Sequence, residues 1–138
     1  MQKAKITVSG ISRTGEGTSR LETVNDGTFT EKNGYCYARY EETEASGMSG
    51  TSTTLKWNGS QVLLIRHGMY SMRQEFAEGC SCAGDYRTPY LVLPVETRTK
   101  RVRVRKIPCG WKIRLEYDLA YGEADVNRIV TTITVDLR

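Results

Sequence analysis

The sequence holds one histidine, three prolines and two phenylalanines, and its apolar runs are only a few residues long. His67 is therefore the single imidazole available as a general base. The longest runs, such as Val62-Leu63-Leu64-Ile65, are far too short for a membrane-spanning helix, so no membrane partner is expected. The opening Met1-Gln2-Lys3-Ala4-Lys5-Ile6-Thr7-Val8 has neither the apolar core nor the small-residue cleavage pattern of a secretory signal. Both absences make the cytoplasm the expected compartment, where Cys36, Cys80, Cys82 and Cys109 remain free thiols. Gly15-Glu16-Gly17 lacks the lysine and the following helix of a phosphate loop. No acidic residue occurs between Thr97 and Leu115, a stretch that carries eight basic ones: Arg98, Lys100, Arg101, Arg103, Arg105, Lys106, Lys112 and Arg114. The remainder has twelve basic and sixteen acidic residues, so the net charge of +4 is concentrated in that stretch.

What is abundant is alternation. Trp111, Ile113, Leu115, Tyr117, Leu119 and Tyr121 are separated mostly by charged residues, the pattern of a long half-buried strand. Val126 to Val135 is β-branched and reads as another. Strands are also expected at Lys3 to Ser9, Ser19 to Val24, Thr28 to Glu31, Tyr35 to Glu42, Thr51 to Trp57, Gln61 to Arg66, Ser71 to Phe76 and Ala83 to Thr88. Lys32-Asn33-Gly34 and Asn58-Gly59 form hairpin turns, the latter read as type I′. From Tyr90 to Arg105 the apolar parity changes, from odd at Leu91, Leu93 and Val95 to even at Val102 and Val104. One buried face then requires a bulge or break between Val95 and Val102. Glu41 to Gly47 is the best helical candidate. The 138 residues suit one domain, 1–138, and the expected fold is all-β. Sequential hairpins favour an antiparallel up-and-down meander of about eight to ten strands closed into a barrel, because closure removes exposed edges; a sandwich is the alternative.

Several segments in order carry a family resemblance. They are Gly27-Thr28-Phe29, Glu31-Lys32-Asn33-Gly34, Tyr40-Glu41-Glu42-Thr43, Thr53-Thr54-Leu55-Lys56, Leu64-Ile65-Arg66-His67-Gly68, Met72-Arg73, Phe76-Ala77-Glu78-Gly79, Tyr86-Arg87-Thr88-Pro89-Tyr90 and Leu115-Glu116-Tyr117-Asp118-Leu119. Together they resemble the YwiB-like proteins of Gram-positive bacteria, a family of unknown function. The resemblance implies a calycin-like barrel, the lipocalin and streptavidin architecture. Leu91 departs from the pattern, which has glycine there.

The candidate chemistry is sparse. Cys80-Ser81-Cys82 would place two thiols on one face of a strand, but a zinc site needs further ligands from Cys36, Cys109 or His67; chance thiols near a turn are the preferred reading, with no metal and no cofactor expected. His67 reads as a rim histidine. Arg66, Arg73, Glu75, Tyr86, Arg87 and Thr88 fall on three sequential strands. They form either a polar cluster in or at the mouth of the barrel, holding an anionic or hydroxylated ligand, or ion pairs on its outer surface. Alternation turns Arg73 and Glu75 away from Met72 and Phe76.

Three functions are weighed. The first is a non-enzymatic barrel with one small-molecule ligand inside, lined by some of the eight tyrosines. The second is a nucleic-acid or ribonucleoprotein accessory that uses Arg101, Arg103 and Arg105 along one strand face, against the plainer reading that these charges guard a sheet edge. The third is a lyase-like enzyme using Arg73, Glu75 and Tyr86, which requires Glu75 to face the interior. A monomer and a homodimer both remain open.

Overall fold

A computed structural model describes residues 1–121 and 125–137. Ten strands follow in chain order: β1 (Gln2–Thr14), β2 (Gly17–Lys32), β3 (Tyr35–Glu41), β4 (Thr51–Trp57), β5 (Val62–Gly68), β6 (Met72–Phe76), β7 (Ser81–Arg87), β8 (Val92–Ile107), β9 (Gly110–Tyr121) and β10 (Asp125–Asp136). They form one antiparallel sheet in the order β6-β5-β4-β3-β2-β1-β10-β9-β8-β7. Every sequential pair except β6 and β7 is joined by a ladder, and β10 returns to pair with β1 along Lys5–Arg13. The result is a nearly closed up-and-down barrel with its seam between β6 and β7. No helix among the described residues is long and apolar enough to cross a membrane.

The seam is held by other means. A single bridge joins Ser71 and Arg87, with both backbone hydrogen bonds at 2.9 Å. Inside the barrel, Gln74 Nε2 donates to Thr97 Oγ1 at 3.2 Å. Below β7, the Glu78 carboxylate accepts from the Val102 amide at 3.0 Å. Each of these satisfies a polar group that a continuous ladder or water would otherwise serve.

The interior is graded. At the end marked by the turns 33–34, 58–61 and 108–109, Trp57 packs its ring against Phe29 and Trp111, with centroids 6.0 and 6.1 Å apart. Ile6, Leu55, Ile113, Ile133 and Val135 are fully buried beside them. Aromatic and branched side chains fill this half and carry most of the hydrophobic stabilisation, about 1.5–3 kcal/mol for each large side chain removed from water. Toward the opposite end the inner face turns polar, with Thr23, Asn25, Glu42, Thr51, Thr53, Thr97 and Thr99 all buried.

The parity change in β8 is a bulge between Thr99 and Arg101, which keeps Val95, Thr97 and Thr99 inward before it and Val102 inward after it. Two expected strands, Ser19 to Val24 and Thr28 to Glu31, are instead one, β2. Asn25-Asp26-Gly27 has the composition of a turn, but Asn25 Nδ2 donates to the Ile6 carbonyl and to Thr23 Oγ1 inside the sheet. Gly27 lies where any Cβ would collide with the Arg39 carbonyl.

The turn readings also exchange places. Asn33 and Gly34 have φ of 54° and 80°, the two positive values of a type I′ turn. Asn58-Gly59 does not adopt them. There Asn58 Oδ1 accepts from the Ser60 and Gln61 amides at 3.0 and 2.9 Å, closing a four-residue Asx loop between the paired Trp57 and Val62. The helical candidate reduces to one 3₁₀ turn, Glu44–Ser46, ended by left-handed Gly47. Leu91 needs no glycine, because the Thr88–Leu91 turn is closed by a backbone bond and by the Thr88 hydroxyl, and Leu91 has no positive φ.

Candidate functional site

The polar end of the barrel is built from a row of inward residues on neighbouring strands. Tyr40 on β3 pairs with Thr53 on β4, Thr53 with Arg66 on β5, and Arg66 with Met72 on β6. Glu42 follows β3 with the same parity as Cys36, Ala38 and Tyr40, so its side chain also turns inward and is buried. The Thr53 hydroxyl donates to the Glu42 carboxylate. The Arg66 Nε lies 3.8 Å from Glu42 Oε2, beyond hydrogen-bond reach, and has no hydrogen-bond partner among the described residues although it is shielded from water. The Glu42 side chain is 2% exposed and that of Arg66 19%.

Four phenols lie within electrostatic reach of Arg66. Burial first, and then the Glu42 carboxylate, pushes the Tyr40 hydroxyl well above its ordinary range. Burial also raises Tyr117, Tyr86 and Tyr121. The Arg66 guanidinium opposes the rise at all four, so one cation acts on every one of them. Phe76 meets the Tyr117 ring edge-on at 4.8 Å, and Tyr70 stacks on Tyr86 at 6.2 Å. A cavity of about 110 Å³ opens here, lined among others by Tyr40, Glu42, Arg66, Tyr117 and Thr131. At roughly 30 Å³ per water, it takes a few waters or one small polar molecule.

The six residues expected to form one site divide between two faces. Arg66 and Tyr86 are inside. Arg73 and Glu75 point outward from β6 and pair with each other at 3.3 Å; Arg87 points outward from β7 and lies 3.9 Å from Asp85. These ion pairs join residues two apart on one strand rather than neighbours across strands. The Thr88 hydroxyl accepts from the Tyr90 and Leu91 amides and belongs to a turn. The lyase-like reading thereby loses its carboxylate, since Glu75 faces solvent while Tyr86 faces the interior. Tyr35 and Tyr37 are likewise outside, beneath the Lys56 ammonium, and Tyr90 is 90% exposed. Glu42 and Thr53 were not among the expected site residues. The parity of Cys36, Ala38 and Tyr40 was the signal that could have found Glu42.

The remaining candidates do not converge. Among the described residues no three of His, Cys, Asp and Glu gather in a metal-binding arrangement. All four cysteines are free: Cys36 is buried, Cys80 exposed, and Cys82 has its thiol 3.7 Å from Glu75. His67 is exposed on the outer face of β5. Arg101, Arg103 and Arg105 are exposed along β8.

Residues 6–133 match the family model described as a domain of unknown function, DUF1934. The crystal structure of the ywiB protein from Bacillus subtilis superposes with a TM-score of 0.82 at 21% identity, over 96% of this chain and 90% of that one. This likeness carries the fold, and it agrees with the resemblance that the ordered sequence segments carry. No curated protein matches the chain.

Proposed function

We propose that this chain, which belongs to the DUF1934 family, is a non-enzymatic barrel that binds one small anionic or hydroxylated molecule at its polar end. The observation that carries the reading is the buried Arg66–Glu42 pair facing the cavity, with Arg66 Nε left without a hydrogen bond. A buried ion pair costs several kcal/mol of desolvation for each ion, and well-packed apolar residues of the same volume stabilise a fold as well or better. Its presence beside a cavity supports a binding role.

The donors and acceptors define the ligand. Arg66 offers a planar fork suited to a carboxylate or phosphate oxygen. Glu42 and the Tyr40 and Tyr117 hydroxyls offer partners to a hydroxyl or amine. The Glu42 charge offsets that of Arg66, so a ligand bearing both an anionic and a donor group fits better than a bare multivalent anion. Exposed Met69, Tyr90, Leu91 and Val92 lie at the same end of the barrel, where an apolar rim suits an entrance. The free thiols are compatible with the cytoplasm.

Native mass spectrometry of protein purified gently from its own cells, set against the denatured mass, tests the reading. A discrete excess that is lost in Arg66→Met supports it. A native mass equal to the polypeptide mass, together with no small-molecule shift in melting temperature from panels of hydroxy acids and amino acids, would overturn it.

A further inference from the structure

The outer face of the β8–β9 hairpin carries cations in an arrangement that the fold does not require. Arg103 lies directly opposite Arg114, and Arg105 opposite Lys112. All four are exposed. Like charges directly opposite each other in an antiparallel pair destabilise it. Before the bulge the basic residues are balanced: Arg98 pairs with Glu96, and Lys100 lies 3.3 Å from Asp118. After it a single acid, Glu116, shares this face, opposite Arg101 and 3.7 Å from Arg114. Arg103, Arg105 and Lys112 have no ion-pair partner among the described residues.

Protection of a sheet edge explains only part of this. The β7 ladder stops at Ser81 and Arg98, so β8 beyond Lys100 is an edge, and its arginines can guard it. Lys112 and Arg114 lie on β9, which is laddered on both sides by β8 and β10. An interior strand has no edge to protect.

We propose that this face binds the phosphate backbone of single-stranded nucleic acid. Residues two apart on a strand repeat every 6.8 Å or so, of the order of the separation of successive phosphates along an extended chain. Arg101, Arg103 and Arg105 form one such row, with Lys112 and Arg114 a second row beside it. The ribbon is two strands wide, which suits one backbone rather than the two of a duplex. Trp111 is half-buried with the Lys106 ammonium over its ring, so no free aromatic platform stacks bases. Binding is therefore electrostatic and indifferent to sequence.

The test is fluorescence anisotropy of the full chain with a labelled deoxythymidine oligonucleotide of about twenty residues, long enough to span the face. With four phosphates neutralised, the slope of log K against log salt is about −3 for a single strand, roughly a sixty-fold weakening from 50 to 200 mM salt. Arg103→Glu/Arg105→Glu is expected to weaken binding at least tenfold and to flatten the slope. Lys3→Glu/Arg20→Glu, the same charge change on exposed positions of β1 and β2, is expected to leave binding within about twofold. Circular dichroism confirms that both variants are folded. Arg66→Met keeps the oligonucleotide binding, which separates this face from the cavity. Three results would each overturn the proposal: no binding of the unaltered chain at 50 mM salt, equal losses in the two double variants, or capture by phosphatidylserine vesicles with none by the oligonucleotide.

Discussion

The Glu42 carboxylate and the Arg66 guanidinium face each other at 3.8 Å inside the barrel, yet without a hydrogen bond between them. The carboxylate is satisfied by the Thr53 hydroxyl instead. Arg66 Nε is thus left with an electrostatic partner and no hydrogen-bond acceptor. Such a geometry leaves donor capacity free for a molecule in the cavity, and it gives the site a definite energetic signature.

Removing one partner strands the other. Arg66→Met leaves a buried carboxylate with no cation and is expected to cost about 3 kcal/mol, the low end for a broken buried pair because part of Arg66 reaches water. Glu42→Gln alone leaves Arg66 uncompensated and costs less, since the guanidinium end can hydrate. The double variant removes both charges and costs less than the sum of the two. Urea denaturation of the three variants and the parent measures the coupling. Strict additivity would show that the two charges do not act on each other.

The four interior phenols predict an alkaline limit. A phenol becomes charged on losing its proton, so a raised native value means that the unfolded chain releases protons that the native barrel keeps. The contribution of Tyr40, Tyr117, Tyr86 and Tyr121 is intact below about pH 10 and is lost as pH climbs beyond it, because only the unfolded state ionises freely there. Phenolate absorbance is expected to rise in part only when the far-ultraviolet circular dichroism collapses. Tyr40→Phe removes one of these raised phenols and is expected to shift the collapse to higher pH. Full ionisation of all tyrosines in the folded protein would contradict the burial.

Alternation makes the barrel legible in the sequence. The parity break between Val95 and Val102 located the bulge, and the opposite parities of Met72 and Arg73 placed the Arg73–Glu75 pair outside. Local turn chemistry was less decisive. Asn33-Gly34 and Asn58-Gly59 share a dipeptide, but the register of Lys32 with Tyr35 leaves two residues to turn the chain, and that of Trp57 with Val62 leaves four. Loop length, set by pairing across strands, selects the conformation. Asn25-Asp26-Gly27 misled for a similar reason: its polar atoms are used inside the sheet and its glycine admits the Arg39 carbonyl. The barrel's polar end was half legible: Arg66 and Tyr86 were singled out and face the interior, whereas Glu42 lies just past a strand end, where a carboxylate is ordinarily exposed.

The seam predicts where the barrel opens first. Gln74 and Thr97 are both buried, and each would be an orphaned polar group without the other. Gln74→Ala is expected to cost about 1–3 kcal/mol through the unpaired threonine hydroxyl alone. Adding Thr97→Val recovers part of it, because no buried hydroxyl is then left over. Hydrogen exchange is expected to be faster for amides of β6 and β7 than for β1 and β10, which hold a ladder of nine residue pairs. Protection of the seam equal to that of the β1–β10 ladder would mean that the single bridge and the side-chain contacts across it suffice to close the sheet.

The cationic ladder on β8 and β9 makes a prediction of unusual sign. Arg103→Glu replaces a like-charge pair with Arg114 by an opposite one, and no buried contact is lost, because Arg103 is exposed. The change is expected to stabilise the protein by about 0.5 kcal/mol. For a domain of this size that is a rise of roughly 2 °C in Tm. The gain should vanish near 1 M salt, where the screening length falls to about 3 Å. The variant is thus better folded and, by the binding argument above, worse at holding a polyanion. Differential scanning calorimetry at low and high salt measures the first half. A lower Tm at low salt would show that the two guanidinium groups do not repel each other, and the case for the face as a polyanion site would lose its physical basis.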